Sequence, residues 1–319
     1  MRLARWAYDG TTYAGVVDEA ELHAFDVGVE LLDLLERGGD ALAGAAATAS
    51  ARPGLPIEEA ALLPPVVAPS VRDFMAFHEH LEGVVQRFGH EVPPAWFEAP
   101  TFYFTNPHSL VGAHADVAVP PGCTLLDFEL EVAAVVGRPG RDLTPLEARS
   151  HILGYTILND WSARDLQGRE MTVGLGPAKG KDFAATLGPW LVTADELEPW
   201  RDDTGLLHLD MTVEVNGQVV GTDSLANMSW TFEELVAYAS RGTWVRAGDV
   251  LGSGTCGSGC LAELWGRSGT EQPPPLRPGD VVTMTVDQLG RIANRVVPGV
   301  EPHPLPPARM PVRVSRPRA

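Results

Sequence analysis

Three acids at alternate positions are the first residues in this sequence whose types and spacing could do chemistry. In Leu125-Leu126-Asp127-Phe128-Glu129-Leu130-Glu131-Val132-Ala133, apolar and acidic residues alternate. A strand of period two would put Asp127, Glu129 and Glu131 on one face. Carboxylates that close repel one another unless a cation lies among them. Oxygen donors suit a hard divalent ion such as Mg2+, Mn2+ or Ca2+, not zinc. The solvated face of an edge strand would show the same pattern, so this stretch alone leaves both readings open. A second cluster, Asn159-Asp160-Trp161-Ser162-Ala163-Arg164-Asp165-Leu166-Gln167, follows an apolar run from Tyr155 to Leu158. That run reads as a buried strand with Asp160 at its end, where functional groups borne on loops project. If the next turn is helical, Arg164 lies one turn on and Gln167 three residues beyond, so acid, guanidinium and amide enter one space. Among 24 basic residues only Lys179 and Lys181 are lysine, and both fall in one loop. A compact ammonium with a movable pKa is one reason to use Lys there; a chance surface pair is the other.

Two glycine-rich stretches imitate nucleotide sites. Gly252-Ser253-Gly254-Thr255-Cys256-Gly257 has the letters of a dinucleotide fingerprint, which works only with a helix N-terminus behind it. Here Leu261 to Gly266 follows, short and bounded by glycines, so a nucleotide is not expected. In the stretch from Gly174 to Lys181, Asp182 stands where a phosphate loop needs Ser or Thr for magnesium. A net charge of −18 argues against nucleic acid or an anionic membrane as partner. Three cysteines make no disulfide scaffold, and Cys256 with Cys260 is too few for a closed zinc site. No apolar run suits a signal peptide or a membrane span, so the expected compartment is the cytoplasm.

The elements that must position these groups are mostly strands. Asp9-Gly10 and Asn216-Gly217, each between strand-forming residues, predict hairpins. Val281 to Val286 and Ile292 to Val297 read as another pair across Gly290. Thr144-Pro145-Leu146-Glu147 and Thr231-Phe232-Glu233-Glu234 carry helix-start signals, the first helix being expected to end at Gly154. Leu62-Leu63-Pro64-Pro65 and Pro69 mark a linker. The expectation is a small β-rich N-terminal domain, 1–68, and a larger domain, 69–319, mostly β with peripheral helices. Regular alternation of strand and helix, as in a doubly wound sheet, is missing.

With these residues in hand, the sequence resembles the fumarylacetoacetate hydrolase family. The resemblance rests on Asp73-Phe74, Asp127-Phe128-Glu129-Leu130-Glu131, the run from Asn159 to Gln167, Gly176-Pro177-Ala178-Lys179-Gly180-Lys181, and Gly254-Thr255 with Leu261-Ala262-Glu263-Leu264. It implies a mixed β-sandwich roll with a smaller N-terminal domain, usually as a homodimer. It implies metal ligation, most simply of Mg2+ or else Mn2+ or Ca2+, by Asp73, Glu129, Glu131 and Asp160. Asp127 is thereby left out, although periodicity had included it. The general base matches His80, while His78 has no matched role. Arg164, Gln167 and Lys181 match groups around the substrate oxyanion, with Lys179 the spare, and Thr255 and Tyr103 match substrate contacts. In hydrolytic members a late Glu, here Glu263, pairs with the base. In decarboxylase and acylpyruvase relatives the partner Glu comes three residues after the histidine, where this chain has Gly83, with Glu82 one position early. The implied activity is metal-assisted hydrolysis of a carbon–carbon bond in a β-diketo acid or acylpyruvate-like substrate. Decarboxylation, isomerisation or dehydration of a 2-keto acid at the same site is the alternative. Met75, Phe102, Phe104, Thr105 and Thr172-Val173 depart from the family pattern at positions that touch the distal substrate, so fumarylacetoacetate itself is less strongly implied than the chemistry.

Overall fold

The computed structural model describes residues 1–86 and 91–310. Strands dominate it. A twelve-stranded sheet contains, side by side, Ala185–Thr193, Ile152–Asp160, Leu130–Val136, Val250–Gly252, Val71–Phe74 and Phe102–Thr105. Leu130–Val136 runs antiparallel to both its neighbours, and Val250–Gly252 runs parallel to Val71–Phe74. A five-stranded sheet holds Gln218–Ser224, Asp210–Val215, Val281–Val286, Gly290–Val297 and Val117–Ala118.

Leu130–Val136 is apolar on both faces because both are covered. Val132, Ala134 and Val136 belong to one buried cluster with Met211, Val213, Met284 and Ile292 of the smaller sheet. Ala133 and Val135 belong to the other, with Leu3, Val16, Leu31 and Leu42 from the N-terminal segment. Each fully buried valine here contributes about 1.5–3 kcal/mol, enough in sum to hold an adjoining polar residue dry.

The N-terminal strands extend the large sheet: Arg2–Tyr8 pairs with Ala185–Thr193 through Arg2 to Val192 and Leu3 to Leu191. The boundary expected at residue 68 lies between the strands Ala61–Leu63 and Val71–Phe74 of that one sheet. Both predicted hairpin turns are present, with φ of 45° and 72° at Asp9-Gly10 and 54° and 76° at Asn216-Gly217. These are the left-handed conformations that a two-residue turn between twisted strands requires. Thr144 and Thr231 form capping boxes with Glu147 and Glu234. The first of these helices stops at Arg149, not at Gly154. Gly154 lies inside the next strand, where a Cβ would stand 2.1 Å from the Val192 carbonyl oxygen. Among the described residues no helix is long and apolar enough to cross a membrane.

One departure matters for the site. The single strand expected over Leu125 to Ala133 is broken. Leu126–Asp127 pairs with Ser162–Ala163, while Leu130–Val136 pairs with Ile152–Asp160, and Phe128 and Glu129 lie between. The period of two therefore does not carry through Asp127.

Candidate active site

Three strands of the large sheet, two of them adjacent and the third one strand further on across Val250–Gly252, each present one acid on the same face. Glu131 shares its side with Ala133 and Val135, Asp160 with Leu158, and Asp73 with Val71. Those four apolar residues lie in one buried cluster. Register brings the acids level: Glu131 faces Leu158 across one pair, and Gly252 is opposite both Ala133 and Asp73. Glu129 joins them from the break between strands. One oxygen from each of Asp73, Glu129, Glu131 and Asp160 lies within 4.8 Å of the others, and all four residues are buried. Gly252 makes the room, since a Cβ there would stand 2.5 Å from Asp73 Oδ1 and 2.9 Å from Glu131 Oε2. The glycine that imitates a nucleotide fingerprint thus belongs to an acidic cradle.

The cradle carries more negative charge than its cations balance. Lys181 Nζ pairs with both Glu129 and Asp160. Arg164 reaches Glu129 at 2.7 Å but is shared with Asp127 at 2.8 Å. Asp73 Oδ1 and Asp160 Oδ1 are buried without a hydrogen-bond partner, a costly state for a carboxylate oxygen. Burial lifts the carboxyls of Asp73, Glu131 and Asp160 above their ordinary range, and the charge of neighbouring acids adds to it. Burial opposes the charge of Glu129 too, yet Lys181 and Arg164 hold its carboxyl below that range. Converging oxygens, two of them orphaned, around a gap that only glycine leaves open fit a hard divalent cation. Tyr103 donates its hydroxyl to Asp160. Burial, and then the charges of Asp160 and Asp73, push its phenol well above the ordinary value, so it stays a donor.

A second device faces the same cavity. His80, on the helix His78–Gln86, has Nδ1 3.1 Å from Glu263 Oε2. Glu263 lies on the helix Leu261–Ser268 and is held by the Ser258 N–H at 2.9 Å and Arg267 at 2.5 Å. Gly83 is where the two helices meet: a Cβ there would stand 2.5 Å from Glu263 Cγ. A Glu at 83 and Glu263 in its observed place therefore exclude each other. Glu82 is exposed. His78 packs against Trp96 and Phe97 at 5.4 and 5.6 Å.

Arg164 and Gln167 are near each other, though not by the route expected. Asp160 ends a strand and the helix starts only at Arg164, so no helical turn links the two. Arg164 Nη1 donates to Gln167 Oε1 at 3.1 Å, which turns the Gln167 amide nitrogen away. Lys181 is buried, while Lys179 is exposed and pairs with Asp182 at 2.8 Å. Thr255 Oγ1 lies 3.5 Å from Glu131. His80, Tyr103, Arg164, Gln167, Lys181 and Thr255 line one cavity of about 310 Å³, together with Asp73, Glu129 and Glu131.

The supporting roles of two residues escaped the sequence reading. Asp127 accepts the Leu261 and Ala262 N–H groups at 2.8 and 2.9 Å and binds Arg164. It occupies the helix N-terminus that a pyrophosphate would have needed, and that helix runs to Ser268, longer than its glycines suggested. Apart from the adjacent Phe128 N–H, its partners lie 37, 134 and 135 residues away, so nothing local announces this role. Glu170 accepts the N–H groups of Ala178, Lys179 and Gly180 at 2.9, 2.8 and 3.1 Å and clamps the lysine loop. Cys256 and Cys260 are buried free thiols, Cys260 standing at the start of the Glu263 helix.

Comparison with known proteins gives the chain's relatives. The family described as fumarylacetoacetate (FAA) hydrolase, C-terminal, matches residues 70–297. A fumarylacetoacetase of Arabidopsis thaliana is 35% identical over 253 residues, 64% of this chain and 60% of that protein. The mitochondrial oxaloacetate tautomerase FAHD2A of Homo sapiens is 31% identical over 287 residues, 86% of this chain and 83% of that protein. The solved fumarylacetoacetate hydrolase of Exiguobacterium antarcticum superposes with a TM-score of 0.73 at 26% identity, covering 94% of this chain and all of that one. The chain spans about 60% of the length of the plant fumarylacetoacetases it matches. Carboxylates brought together from four segments, and a family match over most of the length, lead to one conclusion: the chain belongs to the fumarylacetoacetate hydrolase family.

Proposed function

We propose that the protein is a metal-dependent hydrolase that cleaves a carbon–carbon bond in a β-diketo acid of the acylpyruvate type. The observation that carries this reading is His80, oriented by the buried Glu263 and lining the same cavity as the acidic cradle. Asp73, Glu129, Glu131 and Asp160 would hold Mg2+, with Mn2+ and Ca2+ as the other oxygen-seeking candidates. Once bound, such an ion supplies Lewis-acid polarisation of the substrate's oxygens.

The chain's own groups account for the remaining steps. Glu263 occupies Nδ1 of His80, so Nε2 is left to take a proton from water. The hydroxide so formed adds to the distal carbonyl carbon. The bond to the neighbouring carbon breaks, and its electron pair passes into an enolate. Arg164 and Lys181 face that charge, and the Gln167 amide offers a hydrogen bond. The proton on His80 passes to the released carbon. The balance is one water added, giving a carboxylic acid and a 2-keto acid. Tyr103 and Thr255 are the expected substrate contacts, and a homodimer belongs to the same reading.

A second reading has its own support: the human tautomerase matches more of this chain than the plant fumarylacetoacetase does. Tautomerisation would use His80 to move a proton between carbon and oxygen, with the same cations over the enolate. The test is an acylpyruvate panel incubated with Mg2+ in 18O-labelled water. Hydrolysis puts the label into a new carboxylate. Solvent-hydrogen exchange at the central carbon with no new acid would replace the hydrolase reading with the tautomerase, and release of carbon dioxide would replace it with a decarboxylase.

A further inference from the structure

The cavity wall divides into two chemistries. The polar groups are paired among themselves: Lys181 with Glu129 and Asp160, Asp160 with Tyr103, Arg164 with Glu129 and Gln167, Glu131 with Thr255, His80 with Glu263. Apart from Thr101 and backbone, the rest of the wall is apolar: Phe74, Met75, Val84, Phe102, Met171 and Pro177. Among the described residues the lining cations are Arg164, Lys181 and, when protonated, His80. Each is already paired with a carboxylate. A second carboxylate on the substrate would find acids and hydrocarbon there, with no unpaired cation among the described residues to receive it. The stretch that bears Val173 and Leu175 runs between Met171 and Gly176, both of which line the cavity. Met171, Val173 and Leu175 are 55%, 72% and 88% exposed, apolar surface that none of the described residues covers.

We propose that the substrate carries a single carboxylate, at the dioxo-acid head, and an apolar acyl tail that lies against Met75, Val84, Phe102 and Met171. This rests on the diketo-acid reading above and departs from the dicarboxylates, fumarylacetoacetate and oxaloacetate, for which the relatives are named. The cavity holds the head and a short tail; a longer tail emerges along Met171.

The experiment is a ligand series in Mg2+: acylpyruvates with methyl, propyl, pentyl and phenyl tails, and one ending in a carboxylate at matched length. Dissociation constants from calorimetry and the rise in melting temperature are read beside kcat/KM. Affinity should rise about fourfold for each of the first added methylenes and then level off. The carboxylate-ended ligand should bind on the order of 10²-fold more weakly than its methyl-ended counterpart. Met171→Arg, at an exposed helix end, should raise affinity for the carboxylate-ended ligand and lower it for the pentyl one. Affinity that is flat with length, a carboxylate-ended ligand that binds as well as its counterpart, or no binding by any member would overturn the proposal. Ligands that bind with the predicted tail preference but are never cleaved would support it and remove the hydrolase reading instead.

Discussion

Gly83→Ala separates what holds the fold from what aims the base. The new methyl would stand 2.5 Å from Glu263 Cγ and 3.2 Å from Arg267 Nε. Carbon atoms in good contact lie about 3.5–4.0 Å apart, so the Glu263 side chain must retreat by about 1 Å. Its carboxylate holds His80 Nδ1 at 3.1 Å, and that hydrogen bond cannot survive such a displacement in its present form. A misplacement of about 1 Å in a catalytic array costs on the order of 10²-fold in rate. Stability should respond in the opposite sense or hardly at all, because Ala is about 1 kcal/mol better than Gly inside a helix and offsets part of the crowding. The expected result is a kcat/KM about 10²-fold lower, with melting temperature and Mg2+ affinity close to those of the parent. In a Glu263→Ala background the Cγ is gone, so Gly83→Ala should cost nothing further there. Parental turnover in the single variant, or an equal loss in both backgrounds, would refute the link between Gly83, Glu263 and His80.

Other perturbations test the rest of the site. The raised carboxyls of Asp73, Glu131 and Asp160 bind protons more readily in the folded chain than in the unfolded one. Their contribution to stability is thus complete below the ordinary carboxylate pKa of about 4 and is lost as pH rises through the raised values. Glu129, lowered, acts in the opposite sense. The melting temperature of EDTA-treated protein should therefore fall as pH rises above the ordinary carboxylate range, and the gain from added Mg2+ should grow in the same direction. A gain independent of pH, or none in protein shown to be metal-free, would remove the metal assignment. Lys181→Met should cut turnover by roughly 10²-fold or more, the scale of losing one oxyanion donor, while Lys179→Met should do little; equal losses would show the loop to be misassigned. His80→Ala should abolish most turnover yet leave Mg2+ affinity nearly intact, since a hard cation has little use for imidazole. Glu82→Gln should be mild, and a crippling effect there would move the base's partner from Glu263 to Glu82.

Much of this site could be read from residue order because its chemistry is local. Period two in Leu130–Val136 and the strand end at Asp160 place two of the acids without any knowledge of the fold. Capping residues mark helix starts because an N-cap satisfies backbone donors within its own turn. What could not be read is held from a distance. The strand breaks after Asp127 because that carboxylate is drawn to Arg164 and to the N-terminus of the Glu263 helix, neither of which the local pattern encodes. Gly154 looks like a helix terminator until the neighbouring strand's carbonyl is seen against its missing side chain. Gly83 and Gly252 are likewise defined by what would collide with them, and a sequence does not name the colliding atom. The N-terminal strands join the large sheet through Arg2 and Leu3, a pairing across about 190 residues that no linker signal could reveal.

The use of lysine at 181, in a chain with one other lysine, follows from the geometry of its partners. Glu129 has one oxygen facing Arg164 and the other facing Lys181, so both its oxygens are already engaged by cations. Asp160 gives Oδ2 to Lys181 and Tyr103 and keeps Oδ1 unpartnered. The two orphaned oxygens, on Asp73 and Asp160, are thus the ones most in need of a cation, while Glu129 links that cation's place to the organic cations beside it. An ammonium has three protons directed tetrahedrally. Two are spent on Glu129 and Asp160, which leaves one for a ligand in the cavity that Lys181 lines. A planar guanidinium at 181 would present a flat fork to acids that approach from different strands, and it would leave no donor set at an angle to them. On this reasoning Lys181→Arg is not conservative: it should keep the charge and much of the stability, yet lose turnover nearly as far as Lys181→Met. Recovery of parental kcat by Lys181→Arg would show that charge alone suffices and that the third proton has no directed role.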